Sequence, residues 1–267
     1  IAFLQGAFGL RHKVSGEFLR EVHGADGEVL KTPFGQPRIE PFGNGPPAEF
    51  QFTGTAFLLK GGRYLVTNRH LAEPWTSGNR LASFEASGLQ PELLKLIIFL
   101  PEIQGSIETK VVGISETADL AILSIEHPNL TDRGLSLAER TPRAGDELYL
   151  LGYPTGLKAL LARADREIIR SVSDGKDVDF WSIAERLSDA GQIDPLASQG
   201  IVAQVGPDVV VYDAETTVGG SGGPALNQNG KVVAVNTAIL PEFGGSNIGV
   251  PVNELKVLLS TLPPTRK

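Results

Sequence analysis

The chain has 267 residues, 41% of them hydrophobic and 21% charged, enough apolar material to bury a sizeable core in one large domain or two small ones. A formal net charge of -7 with no concentrated basic stretch argues against an electrostatic grip on nucleic acid or anionic lipid. With no cysteine, disulfides, a thiolate nucleophile and cysteine metal sites are excluded, and no apolar run approaches the roughly 18 residues that span a bilayer.

Residues 1–50 mix short apolar pieces with Gly and Pro and end in Gly43-Asn44-Gly45-Pro46-Pro47, which reads as an irregular N-terminal arm that wraps a folded body. The start at Ile1, in a chain without methionine, reads as a fragment of a longer product. From 51 to 145 the texture changes to short β-rich runs at 55–59, 64–67, 96–100, 110–114 and 120–125, separated by turn signals, which predicts a first barrel or sandwich. After a break at 142–145, a second set at 147–151, 200–204, 209–212, 232–235 and 248–252 predicts a second β domain over 146–262. Asn229-Gly230, between Ala225-Leu226 and Val232-Val233, predicts a hairpin, because both turn residues tolerate positive φ. Leu157, Leu160, Leu161, Ala164, Ile168 and Val172 fall at helical spacing, as do Val178, Trp181, Ala184 and Leu187, so a helical insertion is predicted over 157–198. Asn253 is placed to cap a helix over 254–262 that Pro263-Pro264 would stop, with a tail at 263–267.

The strongest chemical signal is Gly219-Gly220-Ser221-Gly222-Gly223-Pro224. Glycines on both sides of a serine admit strained backbone and close approach of a carbonyl, and the amides of Gly219 and Ser221 can converge as an oxyanion hole. Such a cluster is also what a flexible loop looks like, so the remaining inventory decides. A serine hydroxyl needs a base, and a histidine base needs a carboxylate to fix its tautomer. His12 and His23 lie in the arm and His127 in a polar turn before Pro128, where a solvated imidazole is expected. His70 sits where the run 64–67 ends and a turn of helix begins, and Asp119 stands immediately ahead of an apolar strand, where a carboxylate is costly to desolvate unless it is met by a partner. Gly219 to Gly223 also satisfies the Gly-x-Ser-x-Gly elbow, but that architecture needs a histidine after the serine, and every histidine here precedes Ser221.

In this order the chain resembles the trypsin-like, chymotrypsin-fold serine proteases, and within them the catalytic domain of HtrA-type proteases. The resemblance is carried by Gly54-Thr55-Ala56-Phe57, Val66-Thr67-Asn68-Arg69-His70, Ala118-Asp119-Leu120-Ala121, Gly152-Tyr153-Pro154 with Gly200-Ile201-Val202, the stretch 213–224, and Val235-Asn236-Thr237-Ala238-Ile239-Leu240. It implies an all-β fold of two six-stranded antiparallel barrels with the helical insertion in the second and a short C-terminal helix. It further implies peptide-bond hydrolysis through an acyl-enzyme, with His70 as base, Asp119 as its orienter, Ser221 as nucleophile and the Gly219 and Ser221 amides as oxyanion hole. Residues 235–238 would pair with the substrate backbone by strand addition. No cofactor or metal is expected, and the implied partners are polypeptides, unfolded or misfolded protein among them. The resemblance also implies an oligomer and an extracytoplasmic home.

Three departures stand out. Gly220 replaces the aspartate that precedes the serine in trypsin-like zymogens, the 157–198 stretch is longer than the corresponding loop, and only a short tail follows the predicted last helix, so either a PDZ domain is lacking or the fragment stops before it. The insertion is a candidate lid, regulatory element or partner-docking surface. Primary specificity has two readings: Glu215 matches the position at the base of the trypsin primary pocket, where a carboxylate would select Lys or Arg, whereas Ile239 and Leu240 resemble the apolar pocket lining of HtrA-type enzymes, which implies small aliphatic side chains and leaves Glu215 on the surface; the aliphatic reading is preferred. A non-enzymatic, chaperone-like binding module and an esterase on the same barrel are the competing function classes.

Overall fold

The structure is a computed structural model that describes residues 1–175, 178–240 and 246–263, with the side chains of 238–240 and 246 outside the described set. In chain order the first part holds β1 (Ala2–His12), β2 (Arg20–Glu21), β3 (Ile39–Glu40), β4 (Phe50–Leu58), β5 (Tyr64–Thr67), helices α1 (Arg69–Ala72) and α2 (Arg80–Ala86), then β6 (Leu89–Phe99), β7 (Ile107–Glu108), β8 (Lys110–Ile114) and β9 (Ala121–Ser124). The second part holds β10 (Glu147–Gly152), α3 (Leu157–Arg163), α4 (Arg166–Ser173), α5 (Phe180–Asp189), β11 (Leu196–Val205), β12 (Val210–Tyr212), β13 (Pro224–Leu226), β14 (Val232–Leu240), β15 (Ser246–Pro251) and α6 (Val252–Ser260). The second part closes as a six-stranded barrel in the order β10-β11-β12-β15-β14-β13, and the first forms a seven-stranded sheet in the order β7-β6-β1-β4-β5-β9-β8. The all-β reading with two β bodies holds, the first of them built from seven strands.

Two compact units emerge: 1–5, 53–72 and 96–267 form one, and 6–52 with 73–95 the other. In the larger unit, Phe57, Val66, Leu120 and Ile122 from the sheet share a core with Val232, Val235, Val250, Leu255 and Leu258 from the barrel side. The barrel interior is filled by Leu148, Leu150, Val202, Val210, Tyr212, Ala225 and Ala234, alternate residues of its strands turned inward. A third cluster joins Phe3, Phe99 and Tyr153 to Leu160, Ala184 and Leu187, so the insertion is built onto the core of this unit through α3 and α5. Asp179 starts α5 with a capping box, its carboxylate accepting from Ser182 N at 2.7 Å while the Ser182 hydroxyl accepts from Asp179 N at 2.9 Å. The insertion predicted over 157–198 is thus three helices, and β11 takes over from Leu196.

The smaller unit is organised around Phe8, stacked on Phe50 at 5.0 Å and edge-on to Trp75 at 5.8 Å. Its outer part is a chain of narrow pairings, β2 with β3 and the bridges His23–Val29 and Lys31–Pro37.

Three expectations are corrected. Residues 1–50, expected as an irregular arm, open on an eleven-residue strand. Residues Ala2 to Leu10 are buried without interruption, so the segment lacks the polar alternation that marks a half-exposed strand. Asn253 is not the cap of the last helix: Pro251 occupies that position and Asn253 lies inside the first turn, consistent with proline's fixed φ at a helix start. Of the 229–230 turn only Gly230 has positive φ, 68°, and Asn227 carries the turn instead, its N–H and C=O bonding Lys231 O and Gly230 N at 2.9 Å. Residues 264–267 of the expected tail lie outside the described residues.

Because Ile122 is wholly buried in the core shared by sheet and barrel, Ile122→Ala is expected to cost about 2–5 kcal/mol of stability, read as a lowered midpoint in urea unfolding.

Candidate active site

β5 ends at Thr67, and the chain turns into α1 through Asn68, whose carbonyl accepts from Leu71 N at 3.2 Å. The turn places His70 at the end of a sheet strand, half-exposed, with its backbone N–H on Asp119 Oδ1 at 2.9 Å. Asp119 sits in the loop before β9, pinned from the other side by Asn68 Nδ2 on its carbonyl at 2.8 Å. His70 Nδ1 meets Asp119 Oδ2 at 2.7 Å, and the Thr237 hydroxyl donates to the same oxygen. An ionised carboxylate only accepts, so Nδ1 carries the proton and Nε2 of the neutral ring keeps its lone pair. Burial alone would push the Asp119 carboxyl up. The His70 hydrogen bond and charge, the Thr237 hydroxyl and the His70 amide together outweigh that and hold it below the usual carboxylate range.

Ser221 stands in the loop 219–223 that leads into β13. Gly219 has φ 98°, and a side chain there would meet Tyr153 O at 2.6 Å; Gly222 has φ 83° and lies against Thr55 O, so neither position tolerates another residue without distortion. The loop is tied down from several directions: Thr55 N donates to Ser221 O at 2.9 Å, Thr155 N to Val218 O at 2.6 Å and the Thr55 hydroxyl to Gly219 O at 2.7 Å. Gly220, Gly222 and Gly223 all spend their amides on backbone carbonyls. Among the described residues, the amides of Gly219 and Ser221 donate to no protein group. The Ser221 hydroxyl donates to Thr237 O at 3.1 Å, and among the described residues no hydrogen bond joins it to His70.

Thr237 therefore touches both halves of the constellation, its hydroxyl on Asp119 and its carbonyl on Ser221. The strand register shifts between Asn236 and Ala238, a bulge that re-aims Thr237. The sequence assigned Thr237 to the substrate strand; its polar side chain beside two motif residues was the available signal for this second duty.

The other expected binding residues are placed as follows. Val235 is paired on both sides, with Pro224 and Val250, and its side chain is in the core, so its expected pairing with substrate has no free edge to use. Asn236 is 2% exposed, and its amide and carbonyl bond Gly223 O and Gly222 N, each at 2.8 Å, so it is also spoken for. Pairing with β13 stops there, and from Thr237 to Leu240 the strand is held by β15 on one side. The side chains of Ala238, Ile239 and Leu240, two of them expected to line the primary pocket, lie outside the described residues. Glu215 is exposed and lines a cavity of about 400 Å³ with Leu150, Leu151, Pro154 and Leu196; among the described residues none from β14 joins that lining. Among the described residues no cluster of metal-ligating side chains occurs, and no helix is long and apolar enough to cross a membrane.

Residues 54–235, more than half of the chain, match the trypsin-like peptidase domain. The chain belongs to the trypsin-like peptidase family. This trypsin-like peptidase is 26% identical over 227 residues to the periplasmic serine endoprotease DegP of Escherichia coli strain K12, a match that covers 82% of this chain and 38% of DegP. It is 25% identical over 214 residues to the serine protease Do-like HtrA of Bacillus subtilis strain 168, covering 79% and 38% of the two chains. The trypsin-like peptidase thus spans well under half the length of these curated relatives. Its fold is similar to the active form of the Rv3671c protease from M. tuberculosis, with a TM-score of 0.53 at 15% identity over 99% of this chain and 82% of that one. The HtrA-type resemblance drawn from the motifs holds.

Since Asp119 is depressed in the folded state, its interactions stabilise the fold above the unfolded carboxylate pKa of about 4 and are lost as pH falls through the lower folded value. Urea midpoints measured from pH 6 down to about pH 2 are expected to fall less steeply below about pH 4 in Asp119→Asn than in the unmodified chain.

Proposed function

We propose that this chain is the catalytic part of a serine endopeptidase of the HtrA/DegP type, working through a His70-Asp119-Ser221 triad. The observation that carries the proposal is the His70–Asp119 pair at 2.7 Å, joined through Thr237 to the hydroxyl of Ser221. Asp119 fixes the tautomer that leaves His70 Nε2 as the acceptor. Rotation about the Ser221 Cα–Cβ bond releases Oγ from Thr237 O and turns it toward the imidazole and the substrate carbonyl. Oγ attacks the carbonyl carbon as its proton passes to Nε2, and the imidazolium, stabilised by Asp119, returns that proton to the leaving amine. Water then repeats the sequence on the acyl-enzyme and frees Ser221. The amides of Gly219 and Ser221, which donate to no protein group among the described residues, are the donors for the oxyanion, a contribution of about 3–4 kcal/mol per donor in comparable sites.

A polypeptide substrate fits the stretch of β14 beyond Asn236, where pairing with β13 has ended and an extended chain can add as a strand. The named activity of the DegP and HtrA relatives supports the same reading, and the periplasmic designation of DegP supports an extracytoplasmic site of action. For primary specificity, the match of Ile239 and Leu240 to the apolar pocket lining of HtrA-type enzymes favours small aliphatic side chains over the Lys and Arg that Glu215 would select.

Ser221→Ala and His70→Ala are each expected to abolish labelling by a fluorophosphonate and to lower casein hydrolysis by about 10³-fold or more, with circular dichroism unchanged. Labelling that persists in Ser221→Ala would remove that serine from its role. In a panel of peptides with Val, Ala, Leu, Lys or Arg before the cleaved bond, the aliphatic members are expected to be cut fastest.

A further inference from the structure

The loop that carries Ser221 has glycine at four of its five positions from 219 to 223, so little in its own covalent structure holds its peptide planes in one orientation. An oxyanion hole requires one orientation. In a planar trans peptide the C=O and N–H point in opposite directions, so whatever grips the Gly220 carbonyl sets where the Ser221 amide points. A rotation of that plane would turn the carbonyl toward the place where the amide is needed.

The grip comes from inside the barrel. Asn236 Nδ2 donates to Gly220 O at 3.0 Å, and Gly223 N reaches the same oxygen at 3.1 Å. Because Gly220 O can only accept, the Asn236 amide must turn its nitrogen that way, which leaves Oδ1 facing Tyr212 Oη at 2.6 Å with the phenol as donor. Tyr212 is wholly buried on β12 among apolar neighbours. Gly249 leaves room for its hydroxyl: a side chain there would come within 3.1 Å of Oη. Main-chain bonds add to the hold, Asn236 N to Gly223 O and Gly222 N to Asn236 O, so one residue grips the loop at Gly220, Gly222 and Gly223. A buried Asn–Tyr pair is a costly way to fill a barrel that Val, Leu and Ala fill elsewhere, because two apolar groups of the same shape would serve stability about equally well. What the apolar pair cannot do is aim a peptide plane.

We infer that Asn236, anchored by Tyr212, is a positioning residue that fixes the direction of the Ser221 amide in the oxyanion hole. The inference rests on the endopeptidase reading above and gives Asn236 a task other than the substrate pairing expected for it. It acts through the Ser221 peptide and touches no substrate.

The test uses Asn236→Leu, which keeps the volume and removes the donor, and Tyr212→Phe, which removes a single oxygen and covers the case in which the leucine variant does not fold. Each is compared with the unmodified chain by circular dichroism, by fluorophosphonate labelling rate, by kcat and KM on the best-cleaved p-nitroanilide of the peptide panel, and by affinity for the matching peptide boronic acid and the matching product peptide. The expected result is a kcat lower by about tenfold to a hundredfold in Asn236→Leu and by a smaller factor in Tyr212→Phe. Boronate affinity should fall in step, because the boronate adduct on Ser221 carries the anionic tetrahedral charge, while KM and product-peptide affinity change less than about twofold. Folded variants with unchanged kcat and boronate affinity overturn the inference and leave the endopeptidase reading intact, as does an equal loss in KM and product binding. An unmodified chain that fluorophosphonate does not label overturns the endopeptidase reading itself, and this inference with it.

Discussion

Thr55 is the joint on which the site depends. It is wholly buried on β4, and its single hydroxyl both donates to Gly219 O at 2.7 Å and accepts from Tyr153 N at 3.0 Å. Its amide holds Ser221 O, and its carbonyl is held in turn by the Thr67 hydroxyl at 2.8 Å. A residue of the seven-stranded sheet thus fastens the serine loop of the barrel through main chain and side chain at once. Valine has the same outline, but it would leave a buried carbonyl and a buried amide without partners, each at a cost of about 1–3 kcal/mol.

The second constraint is electrostatic. A partly desolvated carboxylate is tolerable at Asp119 because three donors converge on it from two β bodies, the His70 amide and ring from the sheet and the Thr237 hydroxyl from the barrel. The bulge at Thr237 makes this convergence possible by interrupting the regular register of β14 at the point where the strand passes the site. Glycine freedom, sheet-to-barrel docking and carboxylate pairing are therefore one arrangement: the loop is permissive, and the packed strands around it remove that freedom bond by bond.

Much of this was legible in the sequence for local reasons. β5 and β8 fall at their expected bounds because turn signals flank short β-branched runs, and α1 begins where the strand-to-helix change at His70 announced it. That Asp119 would need a partner was readable because a carboxylate ahead of an apolar strand is costly to desolvate alone, whereas His70 as that partner came from the family resemblance. β1 was not readable, since a strand buried along nearly its whole length carries no alternation to betray it. The extension of β6 back to Leu89 was hidden for a different reason: its first seven residues are mostly partly exposed and include Pro91, and the pairing of β6 with β1 is what makes them a strand. The inward turn of Asn236 and the double engagement of Val235 depend on which edges of β14 are already paired, a fact of topology that no local window contains.

The division of labour between the two β bodies bears on the chain's own biosynthesis. His70 and Asp119 belong to the part of the polypeptide that emerges first from the ribosome, and Ser221 to the part that emerges late, after all three helices of the insertion. A chain in which only the sheet has formed holds the His70–Asp119 pair without the Thr237 hydroxyl that completes it. A detached barrel holds Ser221 and Thr237 without His70. On the proposed triad, neither part alone would carry both base and nucleophile, so reactivity would wait until sheet and barrel share their core.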